Sequence, residues 1–169
     1  MYVIILASQS PRRRQLLEKA GYLFRVHSVK VSENIEENLN PEDLVHVLAR
    51  RKAESVLNDH NLLKSKDYLI LSADTVVVFE GHVLGKPKDF NEAFHFLSQL
   101  SGKTHSVMTG FCLIPEVQTS QAITAFEETK VTFKELNPSE IEDYIHTGEP
   151  VDKAGAYGIQ GLGKKFVKN

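Results

Sequence analysis

The stretch SQSPRRR, residues 8–14, joins anion-binding side chains to a predicted helix start. Serine is a favoured N-cap and proline suits the first helical position, so the helix is expected to begin after Ser10. Free N–H groups at a helix start attract anions, and hydroxyl and guanidinium groups add bonds to phosphate oxygens. A capped helix with solvated arginines is the alternative, and Arg14 is expected at the surface. The combination of Ser8, Ser10 and the three arginines Arg12, Arg13 and Arg14 suits a polyphosphate, and both interpretations stay open on this pattern alone.

A carboxylate interrupts the aliphatic stretch LILSADTVVVF, residues 69–79. An unpaired carboxylate in a buried strand is costly, so Asp74 is expected to meet a metal, a cation or a structural hydrogen bond. Its neighbour Thr75 is either part of a site or simply a good strand former. The hairpin that follows is expected to bring Lys86, in LGKP, close to Asp74, although a lysine before proline is more often exposed.

A glycine-rich stretch, GEPVDKAGAYGIQGLG, contains five of the ten glycines between Gly148 and Gly163. Glycine permits positive φ angles and close approach of the backbone to a ligand, whereas the alternative is a flexible loop. Among its polar residues, Asp152, Lys153 and Gln160, the glutamine both donates and accepts hydrogen bonds, which suits the edge of a nucleobase.

Two further charged residues have weaker local signals. Glu33 lies in an acidic loop, where most carboxylates are solvated. Lys52 lies in a predicted amphipathic helix, and the local pattern favours a solvated position on its polar face.

Composition limits the class of protein. The chain has 169 residues and a net charge of −2, so no overall basic field indicates nucleic acid, and nothing indicates a membrane surface. The single cysteine, Cys112, excludes an intrachain disulfide and fits a reducing cytoplasm. The sequence contains neither a P-loop motif nor a GxGxxG motif at a strand-turn. It also contains no HExxH motif and no Cys/His cluster, which disfavours a zinc site.

The order of predicted elements indicates an α/β fold with a mixed sheet. Strands and helices alternate early in the chain, whereas strands follow one another in its middle. A division near residue 88 is expected. Strands are predicted over residues 2–7, 22–29, 68–87 as a hairpin, 104–115 and 122–136, with helices after Ser10, from Pro41, over 89–102 and over 137–148, and an irregular segment from Glu149.

Five motifs in order, LASQSPRRRQLLEKAG, SADTVVV, LGKP, LSGKTHSVMTG and GEPVDKAGAYGIQGLG, resemble the Maf family of nucleoside triphosphate pyrophosphatases. The resemblance implies an elongated sheet flanked by helices, with two lobes and a central cleft, related to inosine triphosphate pyrophosphatases. It also implies hydrolysis of a nucleoside triphosphate to the monophosphate and pyrophosphate with Mg²⁺ or Mn²⁺. The last motif resembles the subgroup that acts on dTTP and UTP.

The resemblance also implies roles for the residues above. Asp74 corresponds to the general base, and Asp74 and Glu33 to candidate metal ligands. Ser8, Arg12, Arg13, Glu33, Lys52 and Lys86 correspond to substrate-binding positions, and Arg12, Thr75 and Gln160 to positions linked to base choice.

Further expectations concern the whole chain. The family pattern continues beyond FVKN, so a single Maf-like domain over residues 1–169 is expected to lack a C-terminal segment of the family. The expected partner is the nucleotide substrate, and binding to nucleic acid or to a membrane is not expected. The expected location is the cytoplasm. A homodimer is one possible oligomeric state. The alternatives are a pyrophosphatase for another base, such as 7-methyl-GTP, and a nucleotide-binding regulator of septum formation without turnover.

Overall fold

The computed structural model describes residues 3–27, 31, 39–57, 68–115 and 121–168. No helix within these ranges has the length and apolar character needed to cross a membrane. The strands are β1 (Val3–Leu6), β2 (Phe24–Val26), β3 (Tyr68–Phe79), β4 (His82–Leu84), β5 (Thr104–Pro115) and β6 (Ile123–Thr132). The helices are α1 (Pro11–Lys19), α2 (Pro41–Val56), α3 (Phe90–Leu100) and α4 (Pro138–His146), followed by short 3-10 helices at Glu149–Asp152, Ala154–Ala156 and Leu162–Phe166.

The strands form one mixed sheet, which confirms the predicted fold class. Their order is β2-β1-β3-β5-β6, and β4 pairs with β3 outside this path. Strand β1 runs parallel to both β2 and β3, whereas β3 and β4 form an antiparallel hairpin. The strands that alternate with helices early in the chain, β1, β2 and β3, pair in parallel. The strands that follow each other directly, β3 and β4, pair antiparallel, as the order of predicted elements indicates.

Several local predictions differ from the structure, among them β6, which covers only Ile123–Thr132 of the predicted residues 122–136. Strand β2 covers only Phe24–Val26 of the predicted residues 22–29, and the last two of these lie outside the described residues. Ser10 precedes α1, but its side chain makes no capping hydrogen bond, while its backbone N–H donates to the hydroxyl of Ser8 at 3.2 Å. The glycine-rich stretch is not irregular, because it contains the three short 3-10 helices.

The chain divides into two compact units, each with its own core. The first comprises Met1–Asp74 and Thr109–Glu127, and the second comprises Thr75–Met108 and Glu128–Asn169. The chain therefore changes unit after Asp74, after Met108 and after Glu127, and not near residue 88. The core of the first unit contains Ile5, Ala7, Ala49, Ala53, Val56, Tyr68, Ile70, Cys112 and Ile114. The core of the second is rich in aromatic residues and includes Phe79, Phe133, Tyr144, Tyr157 and Phe166.

Gly110 allows β5 and α2 to approach each other closely in the first unit. A Cβ atom at this position would lie 2.5 Å from the carbonyl oxygen of Val45. Backbone atoms cannot move aside as a flexible side chain can, so glycine is required here for steric reasons.

We therefore expect Gly110→Ala to lower the free energy of unfolding by about 1–3 kcal/mol. Gly85→Ala is the matched control, because a Cβ there would have no heavy atom within 4 Å, and we expect a change within about 0.5 kcal/mol. Urea denaturation of both variants measures the difference. Equal unfolding midpoints would contradict the steric argument.

His105 is a buried histidine in the core of the second unit. It is 3% exposed, its Nε2 lies 2.8 Å from the hydroxyl of Tyr157, and its ring meets the edge of Phe133 with centroids 4.9 Å apart. Burial lowers the pKa of His105 from 6.5 to about 4, because the charged imidazolium would lose its hydration. This histidine therefore remains neutral in the folded chain at neutral pH.

The shifted pKa of His105 predicts that stability falls as the pH is lowered from 6.5 towards 4. In that window the unfolded chain binds a proton that the folded chain resists, and the effect of this residue reaches about 3 kcal/mol at most. We expect His105→Gln to flatten this part of the curve of unfolding free energy against pH. His82→Gln, at an exposed position in β4, is the control and should leave the slope unchanged. If the slope of unfolding free energy against pH persists in His105→Gln, other titratable groups cause it.

Candidate functional site

Asp74 is a buried carboxylate in β3, and its ion-pair partner comes from α2. The Nζ of Lys52 pairs with Oδ1 of Asp74, and the two side chains are only 14% and 11% exposed. Of the three partners expected for Asp74, a metal, a cation or a structural hydrogen bond, the structure shows a cation, the ammonium group of Lys52. The preference for a solvated Lys52 is wrong, because the need to compensate a buried carboxylate outweighs the local polar pattern of the helix.

A second contact between α2 and β3 lies beside this pair. Ser72, which is fully buried, donates its hydroxyl hydrogen to the carbonyl oxygen of Ala49. Ser72 and Asp74 lie on the same face of β3, and Ala49 precedes Lys52 by three residues on α2. The hydroxyl therefore sets the position of the helix at which Lys52 reaches Asp74. Ser72 was not among the predicted site residues, although a polar residue two positions before Asp74 in an aliphatic strand was the available signal.

Arg13 connects α1 to the residue before Asp74. Its Nη1 donates to the carbonyl oxygen of Ala73 at 2.6 Å and to the hydroxyl of Ser8 at 3.2 Å. Ser8 is 6% exposed and follows β1. The structure thus places Ser8 and Arg13 together at the backbone of β3, adjacent to the carboxylate.

The other two arginines of the motif differ from Arg13. Arg14 is exposed and pairs with Glu18 at 2.8 Å, as expected for a surface residue. Arg12 is half-buried, and within the described ranges no hydrogen bond or ion pair of its side chain is present. Glu33, predicted to bind substrate or metal, lies outside the described residues.

The second unit carries Thr75, Lys86 and Gln160. Thr75 is half-buried in β3, whereas Lys86 and Gln160 are exposed. The backbone N–H of Gly155 donates to the carbonyl oxygen of Gly85 at 3.0 Å, which joins the glycine-rich stretch to the residue before Lys86. Gly155 has φ +63°, and a Cβ there would lie 2.9 Å from the side chain of Val77, so only glycine fits.

Lys153 and Asp152, the other polar candidates of the glycine-rich stretch, form an ion pair with each other. The Lys153 side chain is 19% exposed and that of Asp152 is 75% exposed. Cys112 is buried in the first core, and burial raises the pKa of its thiol, which fits a core residue rather than a nucleophile.

The residues near Asp74 fit a divalent cation that takes most of its ligands from elsewhere. The described part of the chain contains no group of three His, Cys, Asp or Glu side chains able to hold a metal. Mg²⁺ commonly binds through one or two carboxylates together with substrate phosphates and water, and Asp74 supplies such a carboxylate. The donor set is therefore compatible with a metal that arrives with a phosphorylated substrate.

Comparisons with known proteins agree with the motif order. The profile of the Maf family, described as Maf-like protein, matches residues 3–169. A dTTP/UTP pyrophosphatase of Bdellovibrio bacteriovorus is 49% identical over 165 residues, covering 98% of this chain and 85% of that protein. A dTTP/UTP pyrophosphatase of Bacillus pumilus is 47% identical over 168 residues, covering 99% and 85%.

Among solved structures, a nucleoside-triphosphatase, or dITP/XTP pyrophosphatase, of Mycobacterium abscessus is similar with a TM-score of 0.49 and 15% identity, over 79% of this chain and 75% of that one. The profile match spans almost the whole sequence, and the identity to the curated relatives is close to one half. The chain belongs to the Maf family.

Proposed function

We propose that this chain is a nucleoside triphosphate pyrophosphatase that hydrolyses dTTP and UTP to the monophosphate and pyrophosphate. The observation that carries the proposal is the buried Lys52–Asp74 pair, beside a backbone held by Arg13 and Ser8. A buried carboxylate that is paired with a lysine and lies beside further basic residues is a candidate catalytic base. The names of the relatives, dTTP/UTP pyrophosphatases at 46–49% identity, support the choice of substrate.

In the proposed mechanism, Asp74 orients a water molecule and accepts its proton as the oxygen attacks the α-phosphorus. The bond from the α-phosphorus to the bridging oxygen breaks, and pyrophosphate leaves with its charge spread over its oxygens. Lys52 fixes the direction of the carboxylate through the ion pair. Catalysis then depends mainly on positioning and electrostatics.

Substrate binding is assigned to the basic residues of the motifs. Arg12 offers a guanidinium group that no described side chain occupies, and Arg13, Ser8 and Lys52 lie around the residues that precede and include Asp74. We assign Lys86 to the phosphates of the nucleotide and Glu33 to a further substrate-binding position. Base choice is assigned to Arg12, Thr75 and Gln160.

We propose Mg²⁺ or Mn²⁺ as the cofactor, held by Asp74, by Glu33 and by phosphate oxygens of the nucleotide. When bound, the cation neutralises phosphate charge and acidifies water. We also propose a cytoplasmic location, which is supported by the free thiol of Cys112 and by the intracellular occurrence of the nucleotide substrates.

The test is pyrophosphate release from dTTP, UTP, CTP, GTP and 7-methyl-GTP with Mg²⁺ or Mn²⁺. We expect release from dTTP and UTP, and we expect Asp74→Asn to lower kcat by about 10²- to 10⁴-fold because the amide cannot accept the proton. Nucleotide binding measured without a divalent cation should remain within about threefold, since the basic residues assigned to the phosphates are unchanged and the variant keeps the size of the side chain.

Asp143→Asn, on the exposed face of α4, is the matched control and should keep full turnover. Retained turnover in Asp74→Asn would refute its role as the base. Binding without release from any nucleotide would favour the regulatory alternative, and release mainly from 7-methyl-GTP would favour the other subgroup.

A further inference from the structure

A buried tyrosine and a carboxylate organise the glycine-rich stretch of the second unit. Tyr144, on α4, is fully buried, and its hydroxyl donates to Oε1 of Glu149 at 2.9 Å. The same hydroxyl accepts the backbone N–H of Gly158 at 3.2 Å. Tyr144 therefore links Glu149 to the start of the turn that follows Tyr157.

Glu149 also holds the other end of this turn. Its Oε2 accepts the backbone N–H of Leu162 at 2.8 Å, and its Oε1 accepts that of Gly163 at 3.2 Å. Burial tends to raise the pKa of Glu149, but the hydrogen bonds from these N–H groups and from the Tyr144 hydroxyl lower it by more. The pKa is therefore lowered, and the carboxylate is charged at neutral pH. It thereby satisfies N–H groups at the start of the last 3-10 helix, which a neutral residue would satisfy less well.

The turn between these two anchors carries Gln160. The N–H of Gly161 donates to the carbonyl oxygen of Gly158 at 3.0 Å, which closes a four-residue turn with Gln160 in its third position. A Cβ at Gly161 would lie 2.5 Å from Oε1 of Glu149, and one at Gly163 would lie 2.9 Å from the Tyr144 hydroxyl. Glycine at these two positions thus lets the backbone approach the two anchors without displacing the Glu149 carboxylate or the Tyr144 hydroxyl.

We propose that Glu149 is a positioning residue for base specificity, because it holds the turn that presents Gln160; this inference rests on the proposed function. Uracil offers an acceptor at O4 beside a donor at N3, whereas cytosine offers a donor at N4 beside an acceptor at N3. A turn whose backbone is fixed limits the positions that the Gln160 amide can reach, so the amide favours the base edge that it meets from those positions. An amide on a loose turn adapts to both, and the discrimination is lost.

Binding of uncleavable nucleotides tests this role separately from turnover. Calorimetry with the α,β-methylene analogues of UTP and CTP gives the ratio of their two Kd values for each variant. We expect Glu149→Gln to reduce the preference for the UTP analogue by about five- to tenfold, because the new amide N–H₂ replaces an acceptor of the Leu162 N–H. Tyr144→Phe, which removes both hydroxyl contacts, should act in the same direction.

Two further variants separate this role from a general loss of structure. Glu140→Gln disturbs another carboxylate of the second unit, which caps α4 and pairs with Lys134, and it should leave the ratio unchanged. In a chain with Gln160→Ala, adding Glu149→Gln should reduce the ratio no further, because Glu149 acts through Gln160.

An unchanged ratio in Glu149→Gln, whatever its stability, would overturn the inference. So would a double variant whose ratio falls below that of Gln160→Ala alone, or equal binding of the two analogues by the unsubstituted chain. Failure to release pyrophosphate despite a retained binding preference would count against the proposed function and not against this role of Glu149.

Discussion

The buried carboxylate of Asp74 is the constraint on which the first unit depends. A charge within a strand must be compensated, and the compensating charge, Lys52, belongs to a helix 22 residues earlier in the chain. The helix must therefore lie over β3 with its last turns beside the acid. Ser72 and Gly110 serve the same arrangement, one by a hydroxyl bond to the helix and the other by leaving room for its backbone. The contacts that pack α2 against β3 are thus the same contacts that place Lys52 beside Asp74.

The sequence could predict the features that are encoded within a few neighbouring residues. Asn40 and Asn137 begin α2 and α4, and each side chain accepts the N–H three residues later, from Asp43 and Glu140, at 2.9 Å. The mixed sheet followed from the order of apolar segments. Asp74 was evident because a carboxylate in an aliphatic strand is unusual. In each case the physical cause lies within one helical turn or one strand.

The sequence could not predict features whose cause lies in distant partners. Arg13 meets Ala73 across 60 residues, and without that contact it is indistinguishable from the surface residue Arg14. Lys52 has the spacing of a solvated helix face, yet in the described structure it pairs with the acid on β3. Ser10 has the right type for a helix cap, but its side chain makes no capping hydrogen bond. Local propensity is outweighed wherever a buried polar group needs a partner.

The glycine-rich stretch shows how one residue type supports two opposite interpretations. Abundant glycine usually indicates freedom of the chain, yet Gly155, Gly161 and Gly163 each stand where a Cβ would collide with a neighbour. These glycines allow the backbone to lie close to neighbouring side chains, and the space that a Cβ would need is occupied by Val77, Glu149 and Tyr144. A stretch held in this way loses little entropy when a ligand binds, because most of its ordering has already occurred on folding. Glycines that bring a backbone against buried anchors therefore make a recognition turn rigid, whereas the same number of glycines in solvent would make it loose.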